Sequence, residues 1–140
     1  MGDFVKKFPV ILTVHSNQDL QLRHNAIESA RLTSNRLLEV SVGKGNFYLK
    51  LRVYPHHVLR ENPLAAGAGA DRMSTGMQLS FGKPIGNAAQ VRKGQVIAEV
   101  GTERQFVDIA KKALHRMAYK LPCSTTIRIS GQKETAKAEA

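Results

Sequence analysis

Alternating hydrophobic and polar positions along the chain predict its strands. Residues 46–54 and 123–130 alternate with a period of two, and residues 8–15 form an apolar run rich in β-branched side chains. A period of two places one face of a strand in the core. Two shorter strands are predicted at residues 87–91 and 95–100.

Helical spacing of apolar residues predicts two helices. The first starts at about His24 and ends at residues 43–45, where two glycines flank a lysine. Its expected buried stripe consists of Ala26, Ile27, Ala30, Leu37 and Leu38. The second helix spans residues 102–121, and Pro122 ends it. Its expected buried stripe consists of Phe106, Ile109, Ala110, Ala113, Met117 and Leu121.

Each helix carries a sequence signal for a capping box at its start. Asn25 is followed three residues later by Glu28, and Thr102 is followed by Gln105. In such a box the first side chain accepts a hydrogen bond from the backbone amide of the second residue, and the second side chain accepts one from the backbone amide of the first. We therefore expect these residues to cap the starts of the two helices.

Residues 60–86 form a long stretch that favours neither helix nor strand. It contains the glycines and prolines Gly67, Gly69, Gly76, Gly82, Gly86, Pro63 and Pro84. Ordering residues 64–76 costs about 13–26 kcal/mol of conformational entropy. Burying the two sizeable apolar side chains there, Leu64 and Met73, returns about 1.5–3 kcal/mol each. We expect a mobile loop, at about residues 62–80, that a partner orders.

The order of these elements predicts an α+β fold, a mixed or antiparallel sheet with two packed helices and one long irregular loop. The chain has 140 residues, which is enough for one domain with a real core. We predict a single domain over residues 1–131. Residues 132–140 are polar and form a flexible C-terminal tail.

The net charge of the chain indicates what class of partner it binds. The chain has 21 basic and 11 acidic residues, a formal net charge of +10. Such a surplus indicates nucleic acid or an anionic membrane surface as partner, although a generally solvated basic surface is the alternative. The sequence has no membrane span and no signal peptide, and its single cysteine is Cys123. We expect a cytoplasmic protein with no membrane partner.

One predicted strand face carries both aromatic and basic residues. Tyr48, Lys50, Arg52 and Tyr54 share the solvent side of the strand over residues 46–54. Such a face contacts nucleic acid through charge and base stacking. The alternative interpretation is cross-strand packing within the protein.

Motifs for enzyme chemistry are incomplete in this sequence. Residues 67–72 lack the third glycine of a dinucleotide-binding motif. Residues 76–83 resemble a phosphate-binding loop with one residue too many, followed by Pro84 where Ser or Thr must stand. A nucleotide-binding or phosphate-transfer enzyme is the alternative to a nucleic-acid-binding domain. We expect no enzymatic activity, no cofactor and no metal site.

Several motifs, in order along nearly the whole chain, resemble one protein family. They are residues 22–31, residues 52–62, residues 69–73 with Gly76 and Met77, residues 81–84, and residues 113–116 with 120–122. The chain resembles the L-ten-e family of large-subunit ribosomal proteins of archaea and eukaryotes, the counterpart of bacterial L-sixteen. His56, His57 and residues 60–62 resemble the archaeal branch.

This resemblance implies a hammerhead-like β element and a role in the ribosome. It implies binding to large-subunit ribosomal RNA between the central protuberance and the peptidyl-transferase region, beside other ribosomal proteins. The family's long loop points towards tRNA, and the protein helps to position A-site tRNA without catalysis. We expect the free protein to be a monomer.

Basic composition and the resemblance together indicate the candidate contact residues. The residues expected to bind RNA are Arg23, His24, Arg31, Arg52, His56, His57, Arg60, Arg72, Lys83, Arg92 and Lys93. The loop expected to lie near tRNA contains Gly67, Gly69, Asp71, Arg72, Met73 and Gly76.

The chain departs from the family pattern in two ways. Members usually begin with a basic arm of a few dozen residues, so we expect this chain to be a truncated form. Gln78 and Gln90 stand where the family tends to carry basic residues. This weakens the contact expected between the loop and RNA.

Overall fold

The computed structural model describes residues 1–61 and 81–130. Its elements are β1 Val10–Ser16, β2 Leu20–Arg23, α1 His24–Ser41, β3 Phe47–Leu51, β4 His57–Arg60, β5 Pro84–Val91, β6 Val96–Thr102, a 3-10 turn Arg104–Phe106, α2 Val107–Ala118 and β7 Thr125–Ser130. The predicted α+β class with antiparallel strands and two helices is confirmed. The predicted mobile loop at residues 62–80 lies outside the described residues, as does the predicted tail at residues 132–140.

The larger sheet has four antiparallel strands in the order β3-β6-β1-β7. Leu49, Val100, Leu12 and Ile129 lie opposite one another in a single row across it. The first three are almost fully buried. The alternation seen in the sequence therefore places a continuous apolar face on one side of this sheet.

The two helices pack against each other and against the larger sheet. Ile27, Ala30 and Leu38 of α1 are buried, as are Ala110 and Leu114 of α2. These positions follow helical spacing, so each helix turns one apolar face to the core and leaves its charged residues in solvent.

The smaller sheet has three antiparallel strands in the order β2-β5-β4. Leu22 of β2 and Ala89 and Val91 of β5 join the same hydrophobic core as the larger sheet. The strand β4 was not predicted, because its side chains are mostly exposed and show no apolar alternation. Pairing with β4 also extends β5 back to Pro84, where the sequence indicated an irregular loop.

Both predicted capping boxes are wrong. Asn25 Oδ1 accepts a hydrogen bond from the adjacent Ala26 amide at 2.9 Å, and no side chain caps α1. Thr102 is the last residue of β6, paired with Val10 and Phe47. Strand pairing on both sides holds Thr102 in the sheet, so α2 begins only at Val107, after the 3-10 turn.

Candidate nucleic-acid interface

One face of the smaller sheet brings together two predicted contact residues from distant parts of the chain. Arg23 on β2 and His57 on β4 are both paired with Ala88 on the central strand β5. Directly paired residues share a face of a sheet, and two strand spacings place their Cα atoms about 10 Å apart. Both side chains are exposed, while Ala88 between them is fully buried.

His24 extends this cluster from the start of α1. Its Nδ1 lies 3.1 Å from the Asn87 carbonyl oxygen and 3.3 Å from the Asn87 amide nitrogen. The tautomer decides which of these two bonds forms, since Nδ1 either donates or accepts. The ring lies over Gly86, where an added Cβ would stand 3.3 Å from His24 Cε1. Backbone contact therefore orients this exposed ring on β5.

A second group of predicted residues lies where the β4–β5 hairpin meets residues 62–80. The Glu61 amide donates a hydrogen bond to the Lys83 carbonyl at 2.8 Å, one residue beyond each strand. The Arg60 guanidinium carbon stands 4.1 Å from the centre of the Phe81 ring. The side chains of Arg60, Phe81 and Lys83 are exposed. Sequence reasoning did not single out Phe81 as a contact residue, although its position two residues before a lysine was a signal.

Arg92 and Lys93 lie at the opposite end of β5, in the turn to β6. The Lys93 amide donates to Asp19 Oδ1 at 2.6 Å, and Gly94 adopts a positive φ of 81°. Eight residues of extended chain separate the two ends of β5 by roughly 23 Å. The predicted basic residues therefore flank the smaller sheet at both ends.

Two predicted contact residues are held in ion pairs within the protein. Arg31 Nε donates to Glu28 Oε2 at 2.9 Å on the surface of α1. Its hydrogen bonds lower the pKa of the Glu28 carboxyl, and the pKa of the Arg31 guanidinium is correspondingly raised. Arg52 Nε donates a hydrogen bond to Glu99 Oε2 at 2.8 Å, and a terminal guanidinium nitrogen forms an ion pair with the same oxygen at 2.7 Å. Neither arginine belongs to the cluster on the smaller sheet.

The two tyrosines of the predicted aromatic and basic strand face have different environments. The Tyr48 ring lies 5.7 Å from the rings of both Phe4 and Phe8 and covers Gly101 on the neighbouring strand. Burial is the main cause that raises the pKa of the Tyr48 hydroxyl. Cross-strand packing is thus the role that the structure supports for Tyr48. Tyr54, in contrast, is 58% exposed beyond the end of β3.

The remaining sequence-based expectations concern His56, a metal site, a membrane-spanning helix and the residues near tRNA. His56 is exposed, with its ring 6.3 Å from that of Tyr54. Residues 1–61 and 81–130 hold no group of three or more His, Cys, Asp or Glu that could bind a metal ion. In the same ranges, neither helix is long and apolar enough to cross a membrane. Arg72 and the predicted tRNA-proximal residues lie outside the described part of the chain.

Comparison with known proteins agrees with the motifs. Residues 1–128 match the protein family described as ribosomal protein L16p/L10e. The chain is 51% identical over 127 residues to the large ribosomal subunit protein uL16 of Methanoculleus marisnigri, covering 91% of this chain and 75% of that protein. It is 46% identical over 140 residues to uL16 of Hyperthermus butylicus, covering 100% of this chain and 78% of that protein. With uL16 of Archaeoglobus fulgidus, the identity is 44% over 137 residues, with coverage of 98% and 79%.

Proposed function

Because the chain belongs to the ribosomal protein L16p/L10e family, we propose that it binds large-subunit ribosomal RNA through its smaller sheet. Membership makes it a component of the large ribosomal subunit, in the cytoplasm, and not an enzyme. The archaeal type expected from its motifs is confirmed by its relatives. What remains to be tested is which surface meets RNA and what that contact achieves.

The observation that carries this proposal is the convergence of basic side chains on one small sheet. Arg23, His24 and His57 meet around β5, and Arg60 and Lys83 stand at one end of the hairpin. Folded domains bind structured RNA mainly through phosphate and shape, for which arginine and lysine on a rigid surface are suited. The net charge of +10 adds a long-range attraction to the RNA backbone.

The finer role that we propose is to help position A-site tRNA near the peptidyl-transferase region. It rests on the family resemblance and on where the hairpin emerges. The pair formed by Glu61 and Lys83, beside Arg60, closes the hairpin directly before residue 62 and three residues after residue 80. The segment over residues 62–80, which includes Gly67 to Gly76, is the part of the chain that we propose for contact with tRNA. Residues 1–131 would act as one domain, monomeric before assembly, beside other large-subunit proteins.

A salt titration of binding to large-subunit ribosomal RNA tests the proposal. Neutralising about 6–10 phosphates would reduce affinity roughly 10³- to 10⁵-fold between about 50 and 200 mM salt. Arg23→Gln combined with Lys83→Gln should weaken binding and flatten the salt slope by about two. Binding that does not respond to salt would contradict the proposal.

The matched control removes two charges from elsewhere on the surface. Lys44→Gln combined with Lys112→Gln changes two exposed lysines outside the smaller sheet, one in the turn after α1 and one on α2. It lowers the net charge by the same amount, so it reports the general electrostatic effect alone. Equal losses of affinity in the two double variants would show that charge matters but that the smaller sheet is not the contact surface.

A further inference from the structure

We infer that Phe81 is a stacking platform for one unpaired RNA base, with Arg60 held against the other side of its ring. The inference rests on the proposed function, since it assigns a base contact within the RNA surface described above. Phosphate contacts position a protein on nucleic acid, whereas a stacked base adds a contact that depends on the RNA being unpaired there.

The exposure of the ring is the first observation. Phe81 is 73% exposed, which is a large apolar surface to leave in water. The Arg60 guanidinium carbon lies 4.1 Å from the ring centre, over one face. The exposed area therefore belongs mainly to the opposite face and the edges. A flat aromatic surface of this kind accepts any base, because every base has a π face.

The backbone beside the ring is fixed, and this is the second observation. Gly82 follows Phe81 and lies very close to the other side of the hairpin. A Cβ added to Gly82 would stand 1.9 Å from the Glu61 carbonyl oxygen. The hydrogen bond from the Glu61 amide to the Lys83 carbonyl closes the same hairpin. The ring therefore projects from a hairpin whose two strands are held together at this point.

The charge around the ring favours an anionic partner, since Arg60 and Lys83 outnumber the one exposed carboxylate residue described at this hairpin end, Glu61. Arg60 contacts the ring, and Lys83 follows two residues later. Both are cations, which attract the phosphates on either side of a stacked base. Tyr48 offers an instructive contrast, because its ring is covered by Phe4, Phe8 and the backbone of β6. Phe81 is more exposed than Phe4, at 73% against 58%, and carries a guanidinium closer to its ring centre than the Lys6 ammonium is to that of Phe8, at 4.1 Å against 5.5 Å.

The test compares three variants in a titration with large-subunit ribosomal RNA. Phe81→Leu keeps an apolar side chain but removes the aromatic face, and it should weaken binding roughly 5- to 150-fold. Since no charge is removed, the salt slope should stay at the wild-type value. Phe81→Trp keeps the stacking face and should bind nearly as well as wild type. Val40→Ala, which trims an exposed apolar side chain on α1, outside the smaller sheet, is the control and should not change affinity.

Fluorescence supplies an independent measurement. The natural chain contains no tryptophan, so Phe81→Trp introduces a single reporter at the platform. Adding ribosomal RNA should quench its emission through stacking and shield it from acrylamide. Thermal denaturation of every variant checks that the fold is retained, as expected at so exposed a site.

The outcomes separate this inference from the proposed function. Wild-type binding without salt dependence contradicts the RNA surface as a whole. Salt-dependent wild-type binding with an unchanged affinity in Phe81→Leu overturns the stacking inference alone. The stacking inference also fails if Phe81→Trp loses as much affinity as Phe81→Leu, or if the emission of the tryptophan does not respond to the RNA.

Discussion

At the scale of single residues, the fold gives similar cations different environments. Arg52 and Lys83 are both exposed basic residues that the sequence marks as candidates for RNA contact. Arg52 Nε donates a hydrogen bond to Glu99, and a terminal nitrogen of Arg52 forms an ion pair with the same carboxylate, whose side chain is only 12% exposed. What Lys83 contributes to the fold is its backbone carbonyl, which accepts the Glu61 amide. A change of side chain should therefore affect stability at Arg52 more than at Lys83.

Alanine substitution at these two positions tests the difference. Arg52→Ala should lower the free energy of unfolding by about 1 kcal/mol, because it leaves the mostly buried Glu99 carboxylate without its partner. Lys83→Ala should stay within about ±0.5 kcal/mol and should weaken binding to ribosomal RNA. Denaturant unfolding and the RNA titration measure both effects. A larger stability loss in Lys83→Ala than in Arg52→Ala would contradict these assignments.

At the scale of elements, the contact between β3 and β6 depends on a glycine. Gly101 lies directly opposite Tyr48, and the tyrosine ring occupies the space where a side chain on Gly101 would stand. A Cβ built there would be 2.0 Å from Tyr48 Cε1. An aromatic ring packed over a glycine on the next strand replaces the missing side-chain contact. This pairing also fixes Tyr48 against Phe4 and Phe8.

Gly101→Ala should therefore destabilise the protein by about 1–3 kcal/mol through overpacking. Gly45→Ala is the matched control, since an added Cβ there has open space within 4 Å, and its effect should be within about ±0.5 kcal/mol. Combining Gly101→Ala with Tyr48→Ala should cost less than the sum of the two single changes, because the clash disappears. Strictly additive costs in urea unfolding would show that the ring and the glycine are not coupled.

At the scale of the whole molecule, two separate sheets share one core. Leu22, Ala89 and Val91 of the smaller sheet are buried in the same cluster as the helices and the larger sheet. The surface proposed for RNA therefore rests on the same packing that stabilises the rest of the domain. We expect the smaller sheet to unfold together with the larger one and not as a separate unit.

Leu22→Ala tests this cooperativity from the side of the smaller sheet. Leu22 is fully buried, so its truncation should cost about 2–5 kcal/mol of the free energy of unfolding. Tyr48, Tyr54 and Tyr119 all lie outside the smaller sheet. Tyrosine fluorescence and far-UV circular dichroism should nevertheless give one coincident transition, shifted to lower denaturant. Two separated transitions would show that the sheets unfold independently.

Local sequence patterns were sufficient to predict the strands and helices in which buried positions recur at regular intervals. The apolar, β-branched run of residues 8–15 predicted β1, and the helical spacing of Ile27, Ala30 and Leu38 predicted α1, because both signals lie among residues close together in the chain. Charge and the ordered motifs also indicated a basic ribosomal protein, and the comparisons confirm the family.

Local patterns do not indicate which residues from distant parts of the chain lie next to each other. No periodicity indicates β4, because its partner β5 starts 24 positions beyond its last residue and its own side chains are mostly exposed. Nor does any local pattern pair Arg52 with Glu99, 47 residues away, or place Arg23 and His57 on either side of Ala88. Such contacts depend on strand order and register. These are set by the whole fold, because both sheets and both helices bury their apolar faces in one shared core. Fold class, charge and family could therefore be inferred from the chain alone, whereas the folded arrangement selects which cations face outward as a surface and which pair with carboxylates within the protein.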